Sequence, residues 1–278
     1  MSATPHADPG RGVFETMLVL GGRPVELDAH IERLGASVAE LYGAELPASA
    51  RDAVLAEAGG TAHGKLRIAA IPSTGELVAH GQASSPADPR IELRLSSEEI
   101  EPAAVFPGAE RGIALRSVTV AGGLGEHKWA DRGLLERIEA AFPPRQLALL
   151  LDSDGSVLEA SRASVFRVEG GRLTTPPSDG RILPSIARRQ AIEVALGAGI
   201  EVREGVLSAA DLRGGEAFLT GSVRGVEPVH SVDGVQLQPP GEVSAQVAAG
   251  LERRWLQAPG AEPVAAGAGG RPGGPPER

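Results

Sequence analysis

The apolar pattern of this chain predicts an α/β protein of two domains, the first of them α+β in arrangement. Three observations carry that expectation. Short β-prone runs alternate with helical stretches from Val13 onward. Near Ala121 the texture changes, and a glycine-rich loop opens a second series of strands and helices. At 278 residues the chain has room for two modest cores.

Residues 1–9 read as a flexible arm. Val13–Leu20 is apolar and β-prone, Gly21-Gly22 signals a turn, and Arg23–Leu27 returns as a second strand. Asp28 stands where it can cap a helix over Asp28–Tyr42, in which Ile31, Leu34, Val38 and Leu41 recur at helical spacing. Ala50–Ala58 reads as a second helix. Lys65–Ile71, Glu76–His80, Ile91–Leu95 and Ile113–Val120 read as strands, which sets the first domain at 10–120. In the second domain, 121–257, the glycine loop leads into a helix over Trp129–Phe142. Gln146–Leu151 is a nearly continuous apolar run and reads as a buried strand, followed by a turn at Asp152–Gly155. Ser164–Val168 and Leu173–Thr175 form a hairpin across Gly170-Gly171. Pro184 precedes a helix over Ser185–Leu196, which Gly197 and Gly199 end. Val202–Leu207 and Ala217–Thr220 read as strands around a short helix at Ala209–Leu212, and Glu242–Leu256 as the closing helix. The segment 258–278 is Ala, Gly and Pro with little else and reads as a disordered tail.

Composition removes several functions. The net charge of −9 argues against nucleic acid as a partner. The absence of cysteine removes disulfides, thiolate catalysis and cysteine-ligated zinc. None of the six histidines stands at a zinc-binding spacing, so no metal site is expected. There is no Walker loop and no Gly-x-Ser-x-Gly elbow. The N-terminus does not resemble a signal peptide and no apolar run reaches membrane-span length, so a cytoplasmic protein is expected. Lysine is the informative residue. Of the 27 basic residues only Lys65 and Lys128 are lysines. Arginine stays protonated and cannot serve as an amine nucleophile, so any amine chemistry falls to one of these two. Lys65 opens a strand. Lys128 lies in Gly122-Gly-Leu-Gly-Glu-His-Lys-Trp-Ala-Asp-Arg132, a loop that suits either a solvated lysine or a nucleophile reaching into a cleft.

The order of the motifs separates those readings. Val13-Phe-Glu-Thr16, Leu27-Asp-Ala-His-Ile-Glu-Arg-Leu34, His127-Lys-Trp-Ala-Asp-Arg132, Leu150-Leu-Asp-Ser-Asp-Gly-Ser-Val-Leu-Glu-Ala-Ser-Arg-Ala-Ser-Val-Phe166, Thr175-Pro-Pro177, Ile182-Leu-Pro-Ser-Ile-Ala-Arg-Arg189 and Phe218-Leu-Thr-Gly-Ser-Val-Arg-Gly225 occur in one series. Together they resemble the fold-type IV, or class IV aminotransferase, family of pyridoxal-phosphate enzymes over about residues 10 to 235. The resemblance implies a two-domain homodimer with pyridoxal 5'-phosphate in the interdomain cleft. It implies that Lys128 bonds the cofactor and shuttles the proton, and that Glu159 lies beside the pyridine nitrogen. A carboxylate there keeps the nitrogen protonated, so the ring can accept electrons. It also implies phosphate contacts from Arg33, from the main chain of Ile186 and Ala187 at a helix start, and from Ser222. Arg67 and Arg224 are the candidates for a substrate carboxylate.

The sequence departs from the family in three places. Ser185-Ile186-Ala187 stands where Gly-Ile-Thr is usual, which loses a hydroxyl donor. The family's additional N-terminal strand, before a motif ending Gly-Asp-Gly, is supplied only in part. After the strand Leu66–Ile71, Pro72-Ser-Thr-Gly-Glu replaces the Arg-x-His carboxylate trap of D-amino-acid transaminases. His127-Lys-x-x-Asp-Arg132 and Ser222-Val-Arg-Gly225 look most like 4-amino-4-deoxychorismate lyases, which make the folate precursor 4-aminobenzoate together with pyruvate. A branched-chain or D-amino-acid aminotransferase is the alternative. A third is an inactive relative acting as a binding or regulatory subunit.

Overall fold

The computed structural model of the chain describes residues 6–73 and 90–257. Two sheets organise it. The first has the order β2-β1-β3-β4, from β1 (Val13–Leu20), β2 (Arg23–Pro24), β3 (His63–Ser73) and β4 (Arg90–Glu99). Helices α1 (Leu27–Tyr42) and α2 (Ala50–Ala58) pack on it through Leu34, Val38, Val54 and the strand residues Met17, Leu66 and Ile68. The expected strand Glu76–His80 lies outside the described residues.

The second sheet has nine strands: β5 (Ile113–Thr119), β6 (Gln146–Leu151), β7 (Val157–Ala160), β8 (Ser164–Glu169), β9 (Arg172–Thr175), β10 (Val202–Glu204), β11 (Glu216–Gly221), β12 (Gly225–Val232) and β13 (Val235–Gln236). Its order is β10-β9-β8-β11-β12-β5-β6-β7, with β13 on β12. Helices α4 (Ile186–Gly197) and α6 (Glu242–Gln257) cover one face, where Ala187, Ala191, Val247, Leu251 and Trp255 meet Phe166 and Phe218. The short helices are α3 (Gly133–Glu139) and α5 (Ala209–Arg213). Among the described residues no helix is long and apolar enough to cross a membrane.

Several elements differ from the sequence reading, each for a local reason. Asp28 does not cap α1: the helix starts one residue earlier, after Glu26 in the left-handed region, and Asp28 instead accepts from Arg51. The return strand is correspondingly cut to two residues. Residues 6–9 are not a loose arm, because Asp8 N–H donates to Asp131 and the Pro9 carbonyl accepts from Tyr42. Residues 129–132 are not helical. Trp129 bridges to Val13 and Ala130 N–H donates to the Gly12 carbonyl, so the chain pairs beside β1 there and the helix starts only at Gly133. β5 belongs to the second sheet, pairing in parallel with β6 and β12, so the change of sheet precedes the change of texture at Ala121. The strands β7 and β12 were not anticipated.

β1 is the hinge of the architecture. Alternate residues point to opposite faces of a strand, and here both faces are covered. Met17 and Val19 pack toward α1, while Leu18 and Leu20 join the core under α4 and α6. The main chain of β1 also reaches across, Phe14 N–H donating to the Lys128 carbonyl at 2.9 Å and Leu18 N–H to the Ser222 carbonyl at 3.1 Å.

The loop before Lys128 depends on glycine at one position in particular. Gly123 has φ +69°, and a Cβ there would run into the Arg181 carbonyl oxygen. Its neighbour Gly122 has φ +74° but open space around it. Alanine at Gly122 should therefore cost only left-handed backbone strain, about 1–2 kcal/mol. Alanine at Gly123 should cost more and lower the melting temperature further. Equal melting temperatures for Gly122→Ala and Gly123→Ala would show that the loop does not close on Arg181.

Candidate active site

The two sheets face each other across a cleft with a cavity of about 910 Å³. Arg33, Arg67, Lys128, Glu159, Ser222 and Arg224 all line it. Ile186 and Ala187 do not. Their side chains are buried in the α4 packing, and Ser185, which caps that helix by accepting from Arg188 N–H at 3.2 Å, forms the wall instead. Arg188 N–H is taken by that cap, while the amides of Ile186 and Ala187 have no acceptor among the described residues and remain available to a ligand.

Three anchors place Lys128. His127 meets the Ser37 hydroxyl of α1 through Nδ1 at 3.1 Å. Trp129, buried, donates from Nε1 to the Leu124 carbonyl. Asp152 accepts from Gly122 N–H and from Arg181, while Gly125 N–H donates to the Arg181 carbonyl. The amine lies 5.0 Å from the centre of the Phe14 ring. Burial pulls its pKa down to about 8, Arg33 and Arg132 push the same way, and Glu15 and Glu159 oppose them. Lys65, in contrast, is 40% exposed and paired with Glu98 at 2.7 Å.

Glu159 is 7% exposed, on β7. Burial raises its pKa to about 7 against the opposing influence of Lys128, a hydrogen bond from Leu183 N–H, and Arg132. Arg33, although it stands off the apolar stripe of α1, is largely buried. Its Nε and Nη2 bond both oxygens of Glu15 at 2.7 Å, and its Nη1 reaches the Pro184 carbonyl at 2.9 Å, just before α4. His30 Nδ1 completes the set at 2.7 Å from Glu15. Although burial works against ionisation, the His30 hydrogen bond and the Arg33 charge hold Glu15 at about 2. His30, Arg33, Ser37 and Glu40 thus form a polar stripe on α1 at helical spacing, beside the apolar one.

Sequence reasoning quoted Glu15 and Arg132 within motifs without giving either a role. The available signal for Glu15 was a carboxylate inside the apolar run Val13–Leu20, which demands a buried partner. Arg132 is half-buried in the cleft and donates to the Ser161 carbonyl at 2.5 Å. Arg67 lays its guanidinium 3.8 Å over Phe14. Arg224 is 45% exposed and paired with Glu227 at 3.1 Å.

A buried amine of lowered pKa, facing a buried carboxylate and an arginine beside a helix start, equips a site for amine–carbonyl chemistry with an anionic cofactor. The hydroxyls of Ser164 and Thr220, opposite each other on β8 and β11, line the same cleft and have no partner among the described residues. The residues present therefore fit pyridoxal phosphate: an amine for its aldehyde, a carboxylate for its ring nitrogen, and a cation with free donors for its phosphate.

Comparison with known proteins agrees. The profile of the family described as amino-transferase class IV matches residues 12–232. The chain belongs to the class IV aminotransferase family, whose members are pyridoxal-phosphate-dependent enzymes. The branched-chain-amino-acid aminotransferase of Escherichia coli is 40% identical over 105 residues, 37% of this chain. That match spans about a third of the relative's length, 34%. Solved structures that share the fold include two of note. The 4-amino-4-deoxychorismate lyase from Pseudomonas aeruginosa has a TM-score of 0.73 at 22% identity, covering 93% of this chain and 96% of that one. The PLP-bound form of a hypothetical aminotransferase from Mycobacterium tuberculosis has a TM-score of 0.72 at 23% identity, covering 92% and 94%.

The Glu15 cluster has a pH signature. Its folded pKa, about 2, is below its ordinary 4.5, so its contribution is complete above about pH 4.5 and is lost as pH falls through 2. Glu15→Gln should cost roughly 3 kcal/mol at neutral pH, since it leaves Arg33 without its buried partner. The difference in unfolding free energy between wild type and Glu15→Gln should shrink from pH 4.5 to 2. A difference independent of pH would mean that Glu15 is not the anion of this cluster.

Proposed function

We propose that the chain is a pyridoxal-phosphate-dependent lyase that converts 4-amino-4-deoxychorismate to 4-aminobenzoate and pyruvate. The supporting observation is the concentration of arginine around Lys128 in the cleft, which suits a substrate carrying two carboxylates. A branched-chain aminotransferase is the second reading, favoured by the 40% identity over 105 residues to the E. coli enzyme.

In this reading Lys128 is the attachment point, Glu159 the partner of the ring nitrogen, and Arg33, Ser222 and the first amides of α4, at Ile186 and Ala187, the phosphate site. When bound, pyridoxal phosphate supplies an aldehyde for the substrate amine and a ring that accepts electrons as the amine-bearing carbon loses its proton. The pKa of Lys128, lowered to about 8, leaves a minority of Nζ neutral near physiological pH, far more than an ordinary lysine offers, and that form can take the proton. The bond from the ring carbon to the enolpyruvyl oxygen then breaks. The ring becomes aromatic, and the released enolpyruvate gains a proton to become pyruvate. The substrate atoms are partitioned between the two products, so no second substrate is consumed. Glu15 holds Arg33 by its Nε and Nη2 and leaves the guanidinium facing the cleft, ready for an anion. Arg67 is the first candidate for a substrate carboxylate; Arg224, already paired with Glu227, is the weaker one.

Two experiments check the reading. Borohydride reduction of the cofactor-loaded protein should place the label on the peptide containing Lys128, because the only other lysine, Lys65, is paired with Glu98. Label on Lys65, or none, would remove Lys128 from the reaction. Supplied with 4-amino-4-deoxychorismate made in situ from chorismate and an ammonia source, the enzyme should release 4-aminobenzoate and pyruvate without an added oxo acid. Transfer from leucine to 2-oxoglutarate in place of that reaction would establish the aminotransferase. In whichever reaction occurs, Glu159→Gln should slow turnover by about 100-fold or more, a few kcal/mol of barrier.

A further inference from the structure

The cations of the cleft are unequally partnered. Arg33 is held by Glu15 and Lys65 by Glu98, each at 2.7 Å, while Arg162 is held by Glu139 at 2.5 Å and Arg224 by Glu227 at 3.1 Å. Arg145 gives its guanidinium to the carbonyls of Arg111 and Gly112. Arg67 and Arg132 stand apart. Among the described residues no carboxylate lies within 4.0 Å of either. Arg67 is occupied only by the face of Phe14, and Arg132 by the single bond to the Ser161 carbonyl. A guanidinium has five N–H donors, so most of theirs are unused.

Both groups line the cleft with Lys128. Burial lowers the proton affinity of both, and the charges of Arg162 and, less strongly, Arg67 lower that of Arg132 further. The acids that act on them, Glu136 on Arg67 and Glu159 and Glu139 on Arg132, do so from beyond ion-pair distance. Two desolvated like charges with open donors, brought to one cleft by β3 and by the segment that leads into α3, repel each other, and an anion between them would relieve that repulsion. A carboxylate is the planar anion that a guanidinium fork matches.

We propose that Arg132 and Arg67 form a carboxylate clamp beside Lys128, and that Arg132 is the residue by which the enzyme selects amino substrates carrying a carboxylate. The clamp rests on the reading of Lys128 as the reacting amine and takes one of the two carboxylates of the lyase substrate. Arg132, four residues beyond Lys128, ties the charge that selects the substrate to the loop that carries the amine. Arg224 is left to Glu227.

Acid–amide pairs test the clamp in the cofactor-loaded protein, with binding followed by calorimetry. The probes are 4-aminobenzoate against 4-aminobenzamide, and 4-methylvalerate against 4-methylvaleramide. Wild type should prefer at least one acid over its amide. Arg132→Gln should weaken that acid roughly tenfold to a hundredfold while leaving the amide unchanged. Arg132→Lys, which keeps the charge and loses the fork, should fall between them. Melting curves identify a variant that fails to fold; if Arg132→Gln does so, Arg132→Lys carries the comparison, and full acid preference in it overturns the clamp. So does unchanged acid affinity in Arg132→Gln, or a wild type that distinguishes neither acid from its amide. If only 4-methylvalerate is preferred and Arg132→Gln abolishes that preference, the clamp stands and the lyase reading falls.

Discussion

Burying the amine of Lys128 is the constraint around which the cleft is built. An isolated ammonium in an apolar interior loses its proton unless opposite charge is brought to it. Here Glu15 and Glu159 supply that charge, and Arg33 and Arg132 take part of it back, leaving Lys128 at about 8. Glu15 could not serve alone as the counter-charge. Its two oxygens are already bound by His30 and Arg33, so it draws on Lys128 through space while fixing Arg33 in place. One carboxylate thus sets the geometry of Arg33 and the charge of the amine together. Removing it changes both.

β1 makes this coupling possible. A strand covered on both faces presents Glu15 to α1 and Phe14 to the opposite sheet within one peptide unit. Phe14 then receives Arg67 and Lys128 over its ring, while its own N–H fixes the Lys128 carbonyl. The lysine loop is irregular, but it is strapped to a strand, to α1 through His127, and to the Arg181 segment through Asp152. Reactive groups on loops require this kind of rigid support.

What the sequence disclosed follows from how local each signal is. β1, α2 and β6 were legible to the residue, because the apolar residues of each fall between local turn or cap signals. The helix after Lys128 was drawn too long. Leu134, Leu135, Ile138 and Phe142 do have helical spacing, but pairing with β1 pulls residues 129–130 straight, and that partner is more than a hundred residues away. β12 was hidden by Glu227, Pro228 and His230, which interrupt its apolar residues. The membership of β5 could not be read locally, since parallel partners arrive from distant segments. Among the site residues, the motif resemblance pointed to Lys128, Glu159, Arg33 and Ser222, all of which line the cleft. It was silent on the ion pairs that distinguish one arginine from another. Whether Arg224 or Arg132 has free donors depends on Glu227 and Ser161, which only the folded chain brings near.

The two ionisable groups at the centre have been moved toward each other. Their ordinary pKa values, 10.5 for a lysine and 4.5 for a glutamate, keep the amine protonated and the acid ionised by a wide margin. In the cleft the values are about 8 and about 7. Both shifts run toward the neutral forms, so the neutral pair lies closer in free energy to the ionised pair than it does in water. Burial does this to both groups, because the neutral form of each is the one an apolar interior favours. The balance then responds to any charge that enters. A cation beside Glu159 returns it to the carboxylate. An anion against Arg33 or Arg132 cancels a charge that was holding Lys128 down and lets the amine keep its proton. Proton location in this cleft is therefore coupled to the charge of whatever occupies it.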